Sequence, residues 1–233
     1  EAEAVAFARL AAAWLPKFDL VLAASREDEK SLSGFAARTQ VVPNIVPMPP
    51  ARLLRRRRRL PIILFVGTLG YAPNADAVTW FVSRVWRRLV RVLNHRVRLV
   101  IVGRDPPQAV VRLRRQRGIT VTGSVADVGR YYYDAELAIA PLRAGGGTRI
   151  KVIESATYGV PLVATAFGVQ GTTFQRDVDV LVANDEGAYL RACLLLLRNG
   201  ALARRLAANA RIRARRDYSH SYWRARVARL VSD

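Results

Sequence analysis

The chain has 233 residues, enough for one large or two small domains, and 51% of them are apolar, which is enough for a sizeable core. Its formal net charge is +20, yet Lys17, Lys30 and Lys151 are the only lysines among 38 basic residues, so arginine dominates. No apolar run approaches the ~20 residues that cross a bilayer, and a single cysteine excludes an internal disulfide.

The amino-terminal stretch predicts helix, strand, helix and strand in that order. Residues 5–15 are alanine-rich and typical of a helix, and residues 18–24 form an apolar strand. Ser25 is then expected to cap a helix that runs to about Phe35, because acidic residues follow in the first turn, where the helix dipole favours them. Residues 40–42 predict a second short strand.

A Pro/Arg-rich segment, residues 47–60, is predicted to be a linker. It contains three prolines and then the arginine run Arg55–Arg59, and both features are typical of a domain boundary.

From residue 61 strands and helices alternate. The predicted strands are residues 62–66, 97–102, 119–123, 137–142, 161–164 and 180–182. The predicted helices begin at Asn74 or Asp76, then cover 107–117, 125–134, 150–158, 187–198, 201–215 and 219–231. Apolar strands in such an alternation indicate an α/β fold with a doubly wound parallel sheet over residues 61–215.

Glycines follow several of these strands, and the carboxyl ends of parallel strands meet at one edge of a sheet. Gly67, Gly103, Gly123 and the triplet 145–147 all occupy such positions. Ligands of open α/β sheets bind beyond the carboxyl ends of the strands. We therefore expect a ligand site at this edge.

The most informative stretch is residues 145–154, GGGTRIKVIE, which links a buried strand to a helix. Glycines let the backbone approach a ligand closely, and the first amides of a helix attract phosphate. Arg149 and Lys151 add positive charge there, and Glu154 is able to accept hydrogen bonds from sugar or ribose hydroxyls. The chemistry predicted is binding of a phosphorylated sugar or nucleotide; a plain loop before a solvated helical turn is the alternative.

Other classes of site lack their motifs. Residues 67–70, GTLG, are not a dinucleotide fingerprint, and no P-loop occurs, which argues against an NAD enzyme or a P-loop NTPase. His95 and His220 are isolated and are expected at the surface, Cys193 is expected in the core, and no metal or cofactor is predicted.

Two clusters allow either a purely structural interpretation or a role in binding. The three tyrosines 131–133 face different directions on a helix, so one or two core tyrosines are favoured over a base-stacking platform. The six arginines between 204 and 216 predict a solvated face, with an anionic membrane surface or nucleic acid as the alternative partner.

Taken together, these residues resemble the C-terminal, donor-binding half of a GT-B glycosyltransferase, specifically the large retaining family 4 in a glycine-rich bacterial branch. The resemblance spans about residues 61–218 and is densest in the last of its blocks, which are residues 65–68 with 71–74, 99–103, 121–128 with Tyr132, and 141–171. Residues 19–25 and 41–44 resemble the last strands of the family's N-terminal domain.

The resemblance implies specific roles. Glu154 matches the second Glu of the family's E-x7-E motif, which binds the donor ribose, while Gly146 stands where the first Glu would be. The Arg and Lys that many members carry after the first strand are replaced by residues 71–74, YAPN, so Arg143, Arg149 and Lys151 are expected to supply positive charge to the departing diphosphate. The substrate-binding residues predicted are Gly67, Thr68, Arg143, Gly146, Gly147, Thr148, Arg149, Lys151 and Glu154.

The resemblance also implies a division of the chain. Residues 1–46 would be a remnant of the acceptor-side domain, 47–60 the linker, 61–215 the nucleotide-sugar-binding domain, and 216–233 a helix that crosses back. Most of the N-terminal domain would then be missing, so we expect this chain alone to transfer sugar slowly or not at all.

The predicted function is transfer, with retention, of a hexose-like sugar from a nucleotide-diphosphate sugar to a glycan or lipid-linked acceptor, as in polysaccharide biosynthesis. Lys151 and Glu154 are the best candidates for positioning the donor. The expected location is cytoplasmic, with peripheral contact to the inner face of an anionic membrane. The alternatives are a catalytically silent nucleotide-sugar-binding fragment and, less favoured, a basic nucleic-acid-binding domain.

Overall fold

The computed structural model describes residues 2–49 and 59–232. Its amino-terminal part contains a small parallel sheet, flanked by helices: α1 (Ala2–Trp14), a 3-10 turn (Leu15–Lys17), β1 (Val21–Ala23), α2 (Arg26–Leu32) and β2 (Thr39–Val41). The predicted cap of α2 is confirmed, because the Ser25 hydroxyl accepts a hydrogen bond from the Asp28 amide at 3.1 Å.

The second sheet has six strands, and each is parallel to its neighbours. In chain order they are β3 (Ile62–Val66), β4 (Arg98–Val102), β5 (Ile119–Val121), β6 (Leu137–Ala140), β7 (Leu162–Ala164) and β8 (Leu181–Val182). Their order across the sheet is β5-β4-β3-β6-β7-β8, so the predicted doubly wound parallel sheet is confirmed. The winding reverses between β3 and β6, and in open sheets of this kind ligands bind at that switch point.

Helices cover both faces of this sheet. In chain order they are α3 (Ala72–Phe81), a π-helical turn (Val82–Trp86), α4 (Arg87–Val92), α5 (Gln108–Val111), a 3-10 turn (Arg112–Arg115), α6 (Gly129–Asp134), α7 (Ile150–Thr157), α8 (Ala166–Val169), α9 (Glu186–Arg198), α10 (Gly200–Tyr218) and α11 (His220–Ser232).

The alternation of side chains along each strand produces two cores. On β3, Ile63 and Phe65 point into a core shared with α3, α4 and α9, while Leu64 points into a second core shared with α7 and α10. All three side chains are fully buried. A strand that buries both faces must be apolar throughout, which is why residues 62–66 show no polar position.

Several predicted helix boundaries were wrong. The helix expected over 125–134 begins only at Gly129, whose amide is instead bonded to the Asp127 carboxylate at 2.7 Å. The helix expected to start at Asn74 or Asp76 starts at Ala72, since Pro73 suits the first helical turn. The predicted helix 107–117 is α5 followed by a 3-10 turn.

The segment after β2 packs against α10. The Val46 amide donates to the Tyr218 carbonyl at 3.2 Å, and the Arg211 guanidinium donates to the Pro49 carbonyl at 3.1 Å. Helix α10 therefore continues past residue 215 and lies along the start of the linker, most of which falls outside the described residues. Tyr222 of α11 shares a cavity of about 430 Å³ with residues of the small sheet. The proposed division into domains stays a prediction.

Individual expectations about burial hold. Cys193 is fully buried, and that burial raises the pKa of its thiol. His95 and His220 are exposed, and Tyr132 is the fully buried member of the tyrosine triplet. Among the described helices, none combines the length and the apolar character needed to cross a membrane.

Candidate functional site

A cavity of about 390 Å³ opens at the carboxyl ends of β3 and β6, on the switch point of the sheet. Seven of the nine predicted substrate-binding residues line it, namely Gly67, Thr68, Gly146, Thr148, Arg149, Lys151 and Glu154. Arg143 and Gly147 are not among the lining residues. The remaining wall includes Tyr71, Asn74, Gly103, Ser124, Val125 and Val128.

The glycine turn before α7 is held in shape by Arg149. Its guanidinium donates to the carbonyls of Gly145, Gly146 and Gly147 at 3.0–3.2 Å, and its Nε donates to the Phe167 carbonyl at 3.3 Å. The side chain is buried, and this desolvation lowers the pKa of Arg149. Four of the five N–H donors of the guanidinium are therefore spent on the backbone.

The turn itself needs glycine at two positions. Gly145 has φ +113° and Gly147 has φ +75°, conformations that side-chain-bearing residues rarely adopt. Between them, the Gly146 amide donates to the Tyr71 hydroxyl at 2.9 Å. A Cβ built at Gly146 would meet no atom within 4 Å, so the cavity has room where the family's first Glu would stand.

Lys151 lies in the first turn of α7 and is largely enclosed by protein. Its Nζ donates to the Asn74 Oδ1 atom at 2.5 Å and lies 5.2 Å from the centre of the Phe65 ring. Burial and then the charge of Arg149 lower its pKa to about 8, against a smaller opposing effect of Glu154. A bound anion would favour the charged form of this ammonium group and raise its pKa again.

Asn74 connects Lys151 to the loop after β3. Its Nδ2 atom donates to the Thr68 carbonyl at 2.8 Å, while its Oδ1 atom accepts the hydrogen bond from the Lys151 ammonium group. Buried on α3, this amide thus fixes both the loop and the lysine.

Glu154 stands about one helical turn after Lys151, on the same face of α7, and its carboxylate is half-buried in the cavity wall. Its Oε2 atom accepts a hydrogen bond from the Tyr132 hydroxyl at 3.0 Å. Burial raises the pKa of Glu154, while the Tyr132 hydrogen bond and the charge of Lys151 oppose that rise.

Two backbones meet at the floor of the cavity. A Cβ at Gly103, which follows β4, would lie 1.8 Å from the Gly67 carbonyl oxygen, and one at Gly67 would lie 3.2 Å from the Lys151 side chain. The predicted glycines therefore permit close packing of the strand ends and leave space for the lysine.

Arg143 is directed elsewhere. Its guanidinium makes a two-pronged ion pair with Asp76 of α3, at 2.6 and 3.0 Å, and both side chains are exposed. Its placement gives no support to the expectation that it contacts the diphosphate.

Sequence reasoning did not assign a role to Tyr71, Asn74 or Tyr132. Tyr71 and Asn74 entered it as part of a family block and of the segment that replaces the usual Arg and Lys, and Asn74 also as a possible helix start. Tyr132 entered it as part of another block and of the tyrosine triplet. Each acts through a partner distant in sequence, and the signal lay in the sheet order, which brings the ends of β3 and β6 together. Among the described residues, no three His, Cys, Asp or Glu side chains gather as a metal site.

Comparisons with known proteins place the chain among glycosyltransferases. The family model described as "Glycosyl transferases group 1" matches residues 60–199. A curated relative, an uncharacterized 44.6 kDa protein in the cps region of Klebsiella pneumoniae, is 22% identical over 156 residues, which are 64% of this chain and 40% of that protein.

Solved structures share the fold. HepE of Anabaena, crystallised with UDP and glucose, superposes with a TM-score of 0.73 at 15% identity, covering 97% of this chain and 66% of that one. Sucrose-phosphate synthase of Thermosynechococcus elongatus gives 0.72 at 20% identity, covering 94% and 59%. The mixed α/β architecture with its six-stranded parallel sheet is thus that of the GT-B glycosyltransferases. The chain spans less than two thirds of the length of each of these relatives.

Proposed function

The chain belongs to the group 1 glycosyl transferases, and from that premise we propose that its cavity binds a nucleotide-diphosphate sugar as the donor half of a retaining glycosyltransferase. One observation carries the proposal. Lys151 and Glu154 face the same cavity about one helical turn apart, at the switch point of the sheet. A cation and a carboxylate at that spacing match a diphosphate and the ribose diol next to it.

In this proposal the diphosphate lies at the amino-terminal end of α7, against the glycine turn and the ammonium group of Lys151. The helix dipole and the lysine both stabilise negative charge there. As the bond between sugar and phosphate breaks, the charge on the leaving diphosphate grows, and a cation that is already in place stabilises the transition state. Asn74 keeps that cation aimed at the cavity.

Glu154 accepts hydrogen bonds from ribose hydroxyls in the same proposal, while Thr68, Gly67 and Gly146 form the walls beside the phosphates. Arg149 contributes by holding the turn in shape rather than by direct contact. The UDP and glucose in the HepE crystal support testing a uridine nucleotide first. Retention, a hexose-like sugar, and a glycan or lipid-linked acceptor complete the proposal.

Calorimetry tests the donor site directly. The chain is titrated with UDP, GDP and ADP, and separately with duplex DNA. We expect at least one nucleotide to bind, and Lys151→Met to weaken that binding by about 2 kcal/mol. Lys30→Met, which changes an exposed lysine on α2, should leave it unchanged. Absence of nucleotide binding, or DNA binding with strong salt dependence and no effect of Lys151→Met, would reject the proposal.

A peripheral membrane location remains part of the proposal, together with a cytoplasmic setting. Arg204, Arg205, Arg215 and Arg216 are exposed on α10, whereas Arg213 is ion-paired with the buried Asp179. Exposed arginines favour anionic lipid. Sedimentation with vesicles that contain anionic lipid should pull the chain down at low salt, and neutral vesicles should not.

A further inference from the structure

Tyr132 is fixed in place by the packing around its ring. Its side chain is 1% exposed, and its ring stacks on that of Tyr158, with centroids 4.8 Å apart and planes 9° apart. The ring plane and the position of the hydroxyl are therefore fixed by the core. That hydroxyl lies 3.0 Å from the Oε2 atom of Glu154.

The hydrogen bond divides the carboxylate of Glu154 into two unequal oxygens. Oε2 is occupied by Tyr132, and within the described residues no second side-chain hydrogen bond to this carboxylate is made. Glu154 lines the cavity, so its other oxygen remains to receive a ligand hydroxyl. A side chain with one oxygen anchored keeps one orientation, and binding then costs less rotamer entropy.

The hydrogen bond from Tyr132 also affects the protonation of Glu154. Burial favours the neutral acid, which would donate rather than accept on one of its oxygens. The Tyr132 hydroxyl donates to the ionised form and opposes the rise in the pKa of Glu154, as does the charge of Lys151. Tyr158 is the other titratable group facing this carboxylate, and its own pKa is raised, chiefly by burial.

We propose that Tyr132 is a positioning residue for the donor site: it orients Glu154 and keeps it ready to accept hydrogen bonds from the ribose diol of the nucleotide. The inference rests on the proposed function, since it assumes that a nucleotide occupies the cavity. It goes beyond that function by assigning selectivity for ribose to a buried residue that lies outside the cavity wall.

The test compares Tyr132→Phe with a matched control, Tyr133→Phe. Tyr133 is on the same helix and packs edge-on against Tyr158, with ring centroids 5.2 Å apart, and among the described residues the side-chain hydrogen bond to Glu154 comes from Tyr132 and not from Tyr133. Calorimetry measures the affinity of each protein for the tightest-binding nucleoside diphosphate and for its 2′,3′-dideoxy counterpart. Thermal melts confirm that both variants are folded.

We expect wild type and Tyr133→Phe to prefer the ribonucleotide over the dideoxynucleotide. Tyr132→Phe should bind the ribonucleotide about tenfold more weakly, a size typical of a hydrogen bond to a charged group. Its affinity for the dideoxynucleotide should change less than about twofold, since the contact it serves is absent there. In Glu154→Gln background, Tyr132→Phe should have no further effect.

The pH dependence supplies an independent readout. Removing the Tyr132 donor lets the pKa of Glu154 rise further, so the loss of ribonucleotide affinity on acidification should begin at a higher pH in Tyr132→Phe than in wild type. Replacing Tyr132 by 3-fluorotyrosine keeps the ring and makes the hydroxyl a stronger donor. This replacement should shift the loss of ribonucleotide affinity on acidification to lower pH. It also provides the test if Tyr132→Phe proves too unstable to measure.

The outcomes separate the two proposals. If wild type binds none of the nucleotides, the proposed function fails and this inference with it. If wild type prefers the ribonucleotide and Tyr132→Phe retains both that preference and the pH profile, the proposed function stands and the role of Tyr132 is overturned. Equal loss of ribo- and dideoxynucleotide affinity also overturns it, because it indicates only a disturbed core.

Discussion

The protonation state of Lys151 should depend on whether an anion is bound next to it. Its pKa is lowered to about 8 in the free protein, so it is mostly charged below that pH and loses its proton above it. A diphosphate next to the ammonium group favours the charged form and raises the pKa again. Binding above pH 8 should therefore take up a proton.

We predict that nucleoside diphosphate affinity falls between pH 8 and pH 9.5, by up to about tenfold per pH unit. Calorimetry in buffers of different ionisation enthalpy measures the proton uptake. Lys151→Met should bind about 2 kcal/mol more weakly at pH 7 and should show neither the slope nor the uptake. A wild-type affinity that is flat over this range would contradict the prediction.

The two arginines near the glycine turn should behave differently on removal. Arg149→Ala removes a buried guanidinium together with its four part-buried hydrogen bonds to backbone carbonyls, and should lower the free energy of unfolding by about 2–4 kcal/mol. Arg149→Lys should not rescue it, because an ammonium group lacks the planar fork. Arg143→Ala removes an exposed ion pair and a guanidinium that lies 5.9 Å from the centre of the Trp80 ring, and should cost about 1 kcal/mol or less.

Urea unfolding of the three variants measures these differences, and nucleotide titration of Arg143→Ala adds a second comparison. We expect its affinity to stay within about twofold of wild type, as the side chain does not line the cavity. A large loss of affinity in Arg143→Ala would restore it as a phosphate ligand.

At this scale, sequence identified charged residues but not their partners. Lys151 and Glu154 were predictable because each sits at a known distance from the glycine turn. The direction of Arg149 was not, since a basic residue at a turn can point to a ligand or back to carbonyls. The partners Asn74 and Tyr132 lie 77 and 22 residues away and meet the site only through tertiary packing.

Among the secondary-structure elements, the ends of β3 and β4 pack so closely that the residue after β4 has no room for a side chain. Gly103→Ala would put a methyl group 1.8 Å from the Gly67 carbonyl oxygen, and backbone on both sides limits relaxation. We predict a loss of about 3 kcal/mol in the free energy of unfolding. Gly146→Ala, with open space around its Cβ and no left-handed φ, should change it by less than about 1 kcal/mol.

Urea unfolding of both glycine variants checks this prediction, with the midpoint and slope compared against wild type. Equal stability of the two variants would mean that the strand ends adjust more easily than their packing indicates.

The elements themselves were predictable where hydrophobic patterning is strong. All six strands of the large sheet were expected, because short apolar runs alternate with longer helical patterns along this part of the chain. Helix ends were less predictable, as local side-chain bonds compete with the helix. Asp127 captures the Gly129 amide before α6, and Asn74 turns to the Thr68 carbonyl rather than capping α3.

At the scale of the whole molecule, α1 presents an exposed apolar stripe. Phe7, Leu10 and Trp14 recur every three to four residues along this helix and are each 55–60% exposed, and Phe18, just after the 3-10 turn that follows the helix, is 53% exposed. Large contiguous apolar patches are uncommon on the surfaces of monomers and promote association. We predict that the chain self-associates through this stripe.

Sedimentation velocity across a concentration series should show larger species for wild type, and the double variant Leu10→Gln, Trp14→Gln should shift them toward monomer. Ile212→Gln on α10 is the control, since Ile212 is exposed but is flanked on its helix by arginines. Equal association of the double variant and the control would exclude α1 as the contact surface.

The overall architecture could be predicted from the sequence as a parallel doubly wound sheet, since buried strands alternate with helices. The order of the strands could not be predicted, because the sequence of an apolar strand does not specify which strands it pairs with. That order is what brings residue 67 beside residues 145–154.

One contact joins the two sheets at the mouth of the cavity. The Asn44 side chain, just after β2, donates to the Thr148 hydroxyl at 2.6 Å, across 104 residues of sequence. Thr148 is part of the glycine turn, so this hydrogen bond ties the turn to the segment that follows the small sheet. A displacement of the amino-terminal part by about 1 Å would break this hydrogen bond and leave the Thr148 hydroxyl open to another partner. Such a displacement would act on the glycine turn, which is the end of the cavity where the proposed donor would place its diphosphate.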